Sequence, residues 1–279
     1  LEELRGWDPW VKRLEGWRQT PDRAVADAPQ AATLIDAAGI ATVYPASSEI
    51  ANLFHAHVGN PDAKTDSKWD SPSGRVYSWR WELGRMGAAF YGSVVRKRPT
   101  FVSWPLLPAV LRLVADLRTP DELYDFGVIS ADAYRIARVL DDAKDPVGTS
   151  DLRKAAGFPM GRERSAAYHH ALAELDTRLL ITNEFSSEEG IKHHGIMFSR
   201  HPDAVRSAEG LSMDEAARIF LEAYLPTAAY VVPSILARHL RAPGAVIGQA
   251  VRALESERRL EPSQLPGGGS CSVVGHAKA

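Results

Sequence analysis

Between residues 75 and 98 the chain carries Arg75, Arg80, Arg85, Arg96, Lys97 and Arg98 against a single acid, Glu82. Such a local excess of cations is the footprint of a phosphate-binding surface, because each cation that neutralises a phosphate releases a condensed counterion. Trp79, Trp81 and Tyr91 are interleaved with them. Flat aromatic rings beside arginines suit stacking on nucleobases, so these three are the candidate stacking residues. The competing reading makes the aromatics core and the arginines a solvated face, or pairs the arginines with the acids of residues 116–145. Two further candidate DNA contacts, Arg162 and Arg164, stand near the start of a later amphipathic stretch. There Arg153, Lys154, Arg162, Arg164 and Arg178 nearly balance Asp151, Glu163, Glu174 and Asp176, which argues against dedicated sequence readout.

Other chemistries find less support. The neighbouring histidines His55 and His57, His169 and His170, and His193 and His194 lack an HExxH pattern or other converging ligands, so no metal site is expected. GxGxxG, GxxxxGK[ST] and GxSxG patterns do not occur, and no cofactor is expected. Asp70 and Glu82 have aromatic neighbours, a setting that raises a carboxyl pKa. An exposed loop Asp and a helix Glu paired to Arg80 or Arg85 explain them more simply, and neither is assigned as catalytic.

These residues must be positioned by a chain of 279 residues, 45% hydrophobic and 24% charged, which is enough for two or more globular domains. The net charge is −2, so affinity for a polyanion has to come from local patches. A single cysteine, Cys271, excludes an internal disulfide and multi-cysteine metal sites. No apolar run approaches the roughly 20 residues that span a bilayer, and residues 1–17 do not resemble a signal peptide. The expectation is a cytoplasmic protein with no membrane partner. A start at Leu1 rather than Met is compatible with a longer gene product.

Along the chain, residues 1–29 read as an arm rich in tryptophan. Residues 30–125 read as a helical, winged-helix-like domain in which 76–98 form one amphipathic helix, since Trp79, Leu83, Met86, Phe90 and Val94 recur at spacings of three and four. Residues 126–205 give three helices, then a strand over 179–185, a turn at 186–190 and a second strand over 191–198. That order is a winged helix in one dimension, with the hairpin as its wing. Residues 206–262 repeat the pattern more weakly, opening on the capping box Ser212-Met-Asp-Glu215. Residues 263–279, rich in Gly, Pro and Ser, read as a disordered tail. The fold class is therefore α+β, mostly α, with tandem winged-helix (helix-turn-helix) domains.

Val76-Tyr-Ser-Trp-Arg-Trp-Glu-Leu83, Gly87-Ala-Ala-Phe-Tyr-Gly92 and Arg96-Lys-Arg-Pro-Thr-Phe-Val-Ser103 resemble the AlkZ-related winged-helix proteins over about residues 30–260. That family is similar to the AlkZ and YcaQ DNA glycosylases, which excise alkylated or crosslinked bases. The resemblance implies a DNA partner and action at DNA damage. The glycosylases use a Gln-x-Gln or Gln-x-Asp element, and Gln19, Gln30, Gln249 and Gln264 form neither, so no catalytic residue is transferred. A DNA-binding protein is the leading expectation, a DNA glycosylase the alternative, and a protein-interaction scaffold the third reading.

Overall fold

A computed structural model describes residues 2–143, 145–158, 165–185 and 192–275. Arg162, Arg164 and the expected turn at 186–190 lie outside the described residues.

The arm forms α1 (Asp8–Gly16). A first unit follows. Its α2 (Ala28–Ala38) is capped by the Asp27 carboxylate, which accepts from Gln30 N, and stops at Gly39, whose φ of 73° suits glycine. Next come β1 (Ile40–Thr42), β2 (Ala51–Asn52), α3 (Leu53–Val58) and α4 (Pro72–Arg85), the last capped by Ser71 with Pro72 in its first turn. Strands β3 (Phe90–Gly92) and β4 (Thr100–Val102) close the unit. Helices α5 (Leu107–Val114) and α6 (Pro120–Asp125) lead away from it, α6 by a Thr119–Glu122 capping box.

The second unit is α7 (Ala131–Asp142), β5 (Val147–Gly148), α8 (Thr149–Ala155), α9 (Ser165–Thr177), β6 (Ile181–Glu184) and β7 (His193–Ile196). Two connecting helices, α10 (Met197–Arg200) and α11 (Pro202–Glu209), precede the third unit. That unit is α12 (Met213–Ala228), β8 (Tyr230–Val231), α13 (Pro233–Leu240), α14 (Gly244–Ser256), β9 (Leu260–Gln264) and β10 (Ser270–Val274).

The three units share one wiring: helix, strand, two helices, then two strands. In each sheet the last strand lies between the other two, in the orders β1-β4-β3, β5-β7-β6 and β8-β10-β9, and β2 adds a parallel edge to the first. The remaining pairings are antiparallel, for example Tyr91 opposite Phe101 and Asn183 opposite His194.

Units one and three do not keep separate cores. Leu34, Trp79 and Val110 belong to the same buried cluster as Phe220, Leu236 and Val251, whereas unit two has its own core around Ile136, Tyr168 and Leu175. A small third cluster joins Trp10 of the arm to Tyr230, Val232 and Cys271.

Two expectations are corrected. Residues 76–98 are not one helix: α4 ends at Arg85 because Gly87 takes φ 58°, and Gly87 N and Ala88 N donate to Gly84 O and Leu83 O. Phe90 and Val94 sit at helical spacing but belong to β3 and the turn after it, where Phe90-Tyr91 favours a strand. The stretch 263–274 is not a loose tail, since Gly267, Gly268 and Gly269 all take positive φ and turn the chain so that β10 pairs with both β9 and β8.

Candidate nucleic-acid interface

Helix α4 presents three faces. Val76, Trp79 and Leu83 are buried in the core, and Arg75 and Arg85 stand exposed on a second side with Ser78 and Glu82 between them. The third face, Tyr77, Arg80, Trp81 and Gly84, turns toward unit two. Gly84 suits a close approach there, since a Cβ on it would lie 3.0 Å from Phe185 O. Trp79, a candidate stacking residue by sequence, is 0% exposed and packs edge-on against His57, so it offers no face to a base.

Trp81 and Tyr91 instead belong to a run of edge-to-face rings, Trp69–Tyr77–Trp81–Phe185–Tyr91–Phe101, with centroids 5.0–5.7 Å apart. The Arg80 guanidinium is set among them, 3.4 Å from the Tyr77 ring centroid and 4.0 Å from that of Trp81. It is committed to cation–π contacts more than to solvent. Burial pushes the Tyr91 hydroxyl up to about 12, with Arg80 pulling the other way. Beside these rings is a cleft of about 180 Å³ whose walls include Arg80, Tyr91, Trp104, Asn183 and His201.

Arg96, Lys97 and Arg98 occupy the turn between β3 and β4, all exposed. Arg96 and Lys97 adopt φ of 49° and 59°, a left-handed pair in which side chains are strained. Arg96 donates to Ala46 O at 3.1 Å. None of Arg75, Arg80, Arg85, Arg96, Lys97 and Arg98 forms an ion pair among the described residues, whereas cations elsewhere, such as Arg118 with Asp116 and Arg218 with Glu257, are paired. The expected pairing of Glu82 with Arg80 or Arg85 does not form either.

Sequence reasoning missed the cations that the other units bring to the same place. The Arg241 guanidinium at the end of α13 donates to Ser93 O in the turn after β3, at 3.2 Å. Asp176 of α9 accepts from the Ser93 hydroxyl and from Asn183 Nδ2. Around this carboxylate lie Lys192, Arg241, Arg178 and Arg80. Burial lowers the Lys192 ammonium from its usual range, Asp176 partly offsets that, and Arg80 adds to it. Burial likewise lowers Arg241, with Asp176 opposing and Arg178 adding. On the same helix, burial and then Arg96 and Arg238 lower His239, whose Nδ1 lies 2.7 Å from the Ser47 hydroxyl.

One carboxylate thus sits within a seam of cations from all three units, with the Arg241 Nε and the Asn183 Oδ1 buried and unpartnered. A half-buried cation whose charge is disfavoured is stabilised when an anion arrives. No linear pattern joins this group, since Arg80 belongs to the 75–98 run while Arg178, Lys192 and Arg241 stand well apart from it in sequence.

Other sequence readings find their places. His55 and His57 are half-buried, bonded to Asn52 and Ala63 O and to Val25 O respectively, and no group of three metal-ligating side chains occurs among the described residues. Asp70 is exposed in the loop before α4. The four glutamines are dispersed: Gln19 is buried beyond α1, Gln30 and Gln249 lie on α2 and α14, and Gln264 ends β9. Among the described residues, no helix is long and apolar enough to cross a membrane.

A family model described as AlkZ related matches residues 25–197, more than half of the chain. Among solved structures the chain is similar to the Streptomyces sahachiroi DNA glycosylase AlkZ, with a TM-score of 0.54 and 11% identity, over 95% of this chain and 69% of that one. At that identity the likeness is one of fold. No curated protein matches the sequence.

Proposed function

The chain belongs to the AlkZ-related family, and from that premise we propose that it binds DNA through three winged-helix units and acts at DNA damage. The winged-helix reading rests on the wiring common to the units, in which α4, α9 and α14 hold the position of the helix that enters a groove and the β3–β4, β6–β7 and β9–β10 hairpins are wings. The observation that carries the DNA reading is the set of unpaired cations contributed by all three units: Arg75 and Arg85 on α4, Arg96, Lys97 and Arg98 on the first wing, Lys192 on the second, and Arg241 after α13. Phosphates spaced along a duplex supply what such a surface lacks.

The test is fluorescence anisotropy with a short duplex across a salt series. The wild type binds with a steep negative slope of log K against log salt. Replacing Arg96, Lys97 and Arg98 together by Ala flattens the slope by about 3, at about 0.9 per lost phosphate contact. An unchanged slope removes the first wing from the interface, and absence of affinity at low salt leaves the protein-scaffold reading in its place.

Base excision is the second reading, favoured by the likeness in fold to a DNA glycosylase and by Asp176, a carboxylate held by Ser93 and Asn183 within the cationic seam. A carboxylate so placed suits stabilisation of a developing sugar cation. Release of free base from methylated or crosslinked duplex, lost in Asp176→Asn while duplex affinity stays, is the expected result. No release from a panel of lesions rejects it.

A further inference from the structure

We propose that a cavity beside the first turn of α4 receives a single unpaired DNA base stacked on Trp69, an inference that deepens the DNA-binding reading and rests on it. The cavity measures about 420 Å³, within the range of small-molecule sites, and Tyr44, Trp69 and Tyr77 give it aromatic walls. Trp69 is 71% exposed, the largest side chain so left in water, and its ring meets Tyr77 edge-on at 5.3 Å. The loop that carries it is pinned by hydrogen bonds. The Ser71 hydroxyl donates to Asp66 Oδ1 at 2.6 Å, Lys68 N donates to the same oxygen at 2.9 Å, and Asp66 N donates to the Ser73 hydroxyl at 3.0 Å. Gly74 lets the helix approach so closely that a Cβ there would stand 2.2 Å from Trp69 O. A loop already pinned loses little backbone freedom on binding.

The chemistry of the lining selects the occupant. The hydroxyls of Thr65 and Ser67 and the Lys68 ammonium also line the cavity, and among the described residues they form no hydrogen bond or ion pair. Aromatic walls combined with unspent donors and acceptors match a planar heterocycle with polar edges, read by stacking and by its pairing edge. Lys68 at the rim and the exposed Arg75 on the adjoining helix offer charge to the phosphodiester on which such a base is carried.

The experiment compares a fully paired duplex with the same duplex bearing one bulged adenine, using wild type, Trp69→Ala and Trp69→Phe. The wild type prefers the bulged duplex. Trp69→Ala loses that preference, by about five- to 150-fold for one stacked base, and keeps its affinity for the paired duplex within about twofold. Trp69→Phe retains most of the preference. A wild type without the preference, or a Trp69→Ala that weakens both duplexes equally, overturns the base site and leaves DNA binding standing. Should the paired duplex not bind at all, the DNA-binding reading falls. Quenching of intrinsic fluorescence by free deoxyadenosine, compared between wild type and Trp69→Phe, then decides the cavity: a Trp69-dependent quench supports it and none overturns it.

Discussion

Replacing Glu49 by Gln tests the one fully buried ion pair of the described chain. Arg13 and Glu49 are 0% and 1% exposed, and Arg13 Nη1 and Nη2 donate to the two carboxylate oxygens at 3.1 and 3.3 Å. The guanidinium also donates to Ala228 O and Ser48 O at 2.8 Å, to the Tyr224 hydroxyl at 3.2 Å, and to Tyr230 O. Glu49 in turn accepts from the Tyr224 hydroxyl at 2.9 Å and Val232 N at 3.0 Å. The substitution leaves a guanidinium without its counter-charge where water cannot reach it. Breaking one side of a buried pair costs about 3–5 kcal/mol. For a chain of this size, at about 2–4 °C per kcal/mol, the unfolding midpoint falls by about 6–20 °C. Calorimetry on wild type and Glu49→Gln measures it. Glu257→Gln serves as control, because its pair with Arg218 is exposed and screened by water, so its loss costs far less than that of the buried pair. If both variants lose the same small amount, the buried pair does not tie arm, first unit and third unit together.

Three further outcomes are expected. Burial, helped by Lys192 and His193, holds His194 at about 3, so above about pH 6.5 its neutral form carries no penalty, and stability is lost as pH falls from about 6.5 toward 3, by about 1.4 kcal/mol per unit. Urea unfolding at pH 7 and pH 5 checks this, and a His194→Gln variant with as steep a pH dependence as wild type contradicts it. Gly74→Ala places a methyl group against Trp69 O and destabilises by about 1–3 kcal/mol, measured by urea unfolding; an unchanged midpoint would show that the loop gives way. Arg241→Ala removes one cation of the seam and flattens the salt dependence of duplex binding by about 0.9, whereas an unaltered slope would place it outside the interface.

The order of three helices followed by two strands in unit two was legible because helix and strand signals punctuate it, although β5 was not foreseen, and the Ser212–Glu215 capping box marked the start of α12 correctly. The β3–β4 hairpin was hidden because Phe90 and Val94 continue the helical spacing of Trp79 and Leu83, and only backbone conformation at Gly87 breaks it. The last hairpin was hidden by composition, since a run of three glycines signals either a flexible linker or a tight turn and the sequence does not say which. Of the candidate site, the charged cluster at 75–98 was readable as local excess, yet its division between a helix and a turn was not. Trp79 and Trp81 look equivalent in sequence and differ by two positions on a helix, which puts one in the core and the other toward unit two. Asp176, Lys192 and Arg241 carry no pattern at all. They meet only because units two and three converge.

Arg13 makes its contact with Ala228 O across 215 residues of chain. During vectorial synthesis at about 5–20 residues per second, that cation leaves the ribosome some 10–40 s before its last acceptors exist. The core common to units one and three therefore cannot be completed while the polypeptide is still short, and unit two, which buries its own apolar side chains, is free to fold in the interval. Nascent chains arrested before Tyr224 should expose the first unit to protease while the second is already resistant.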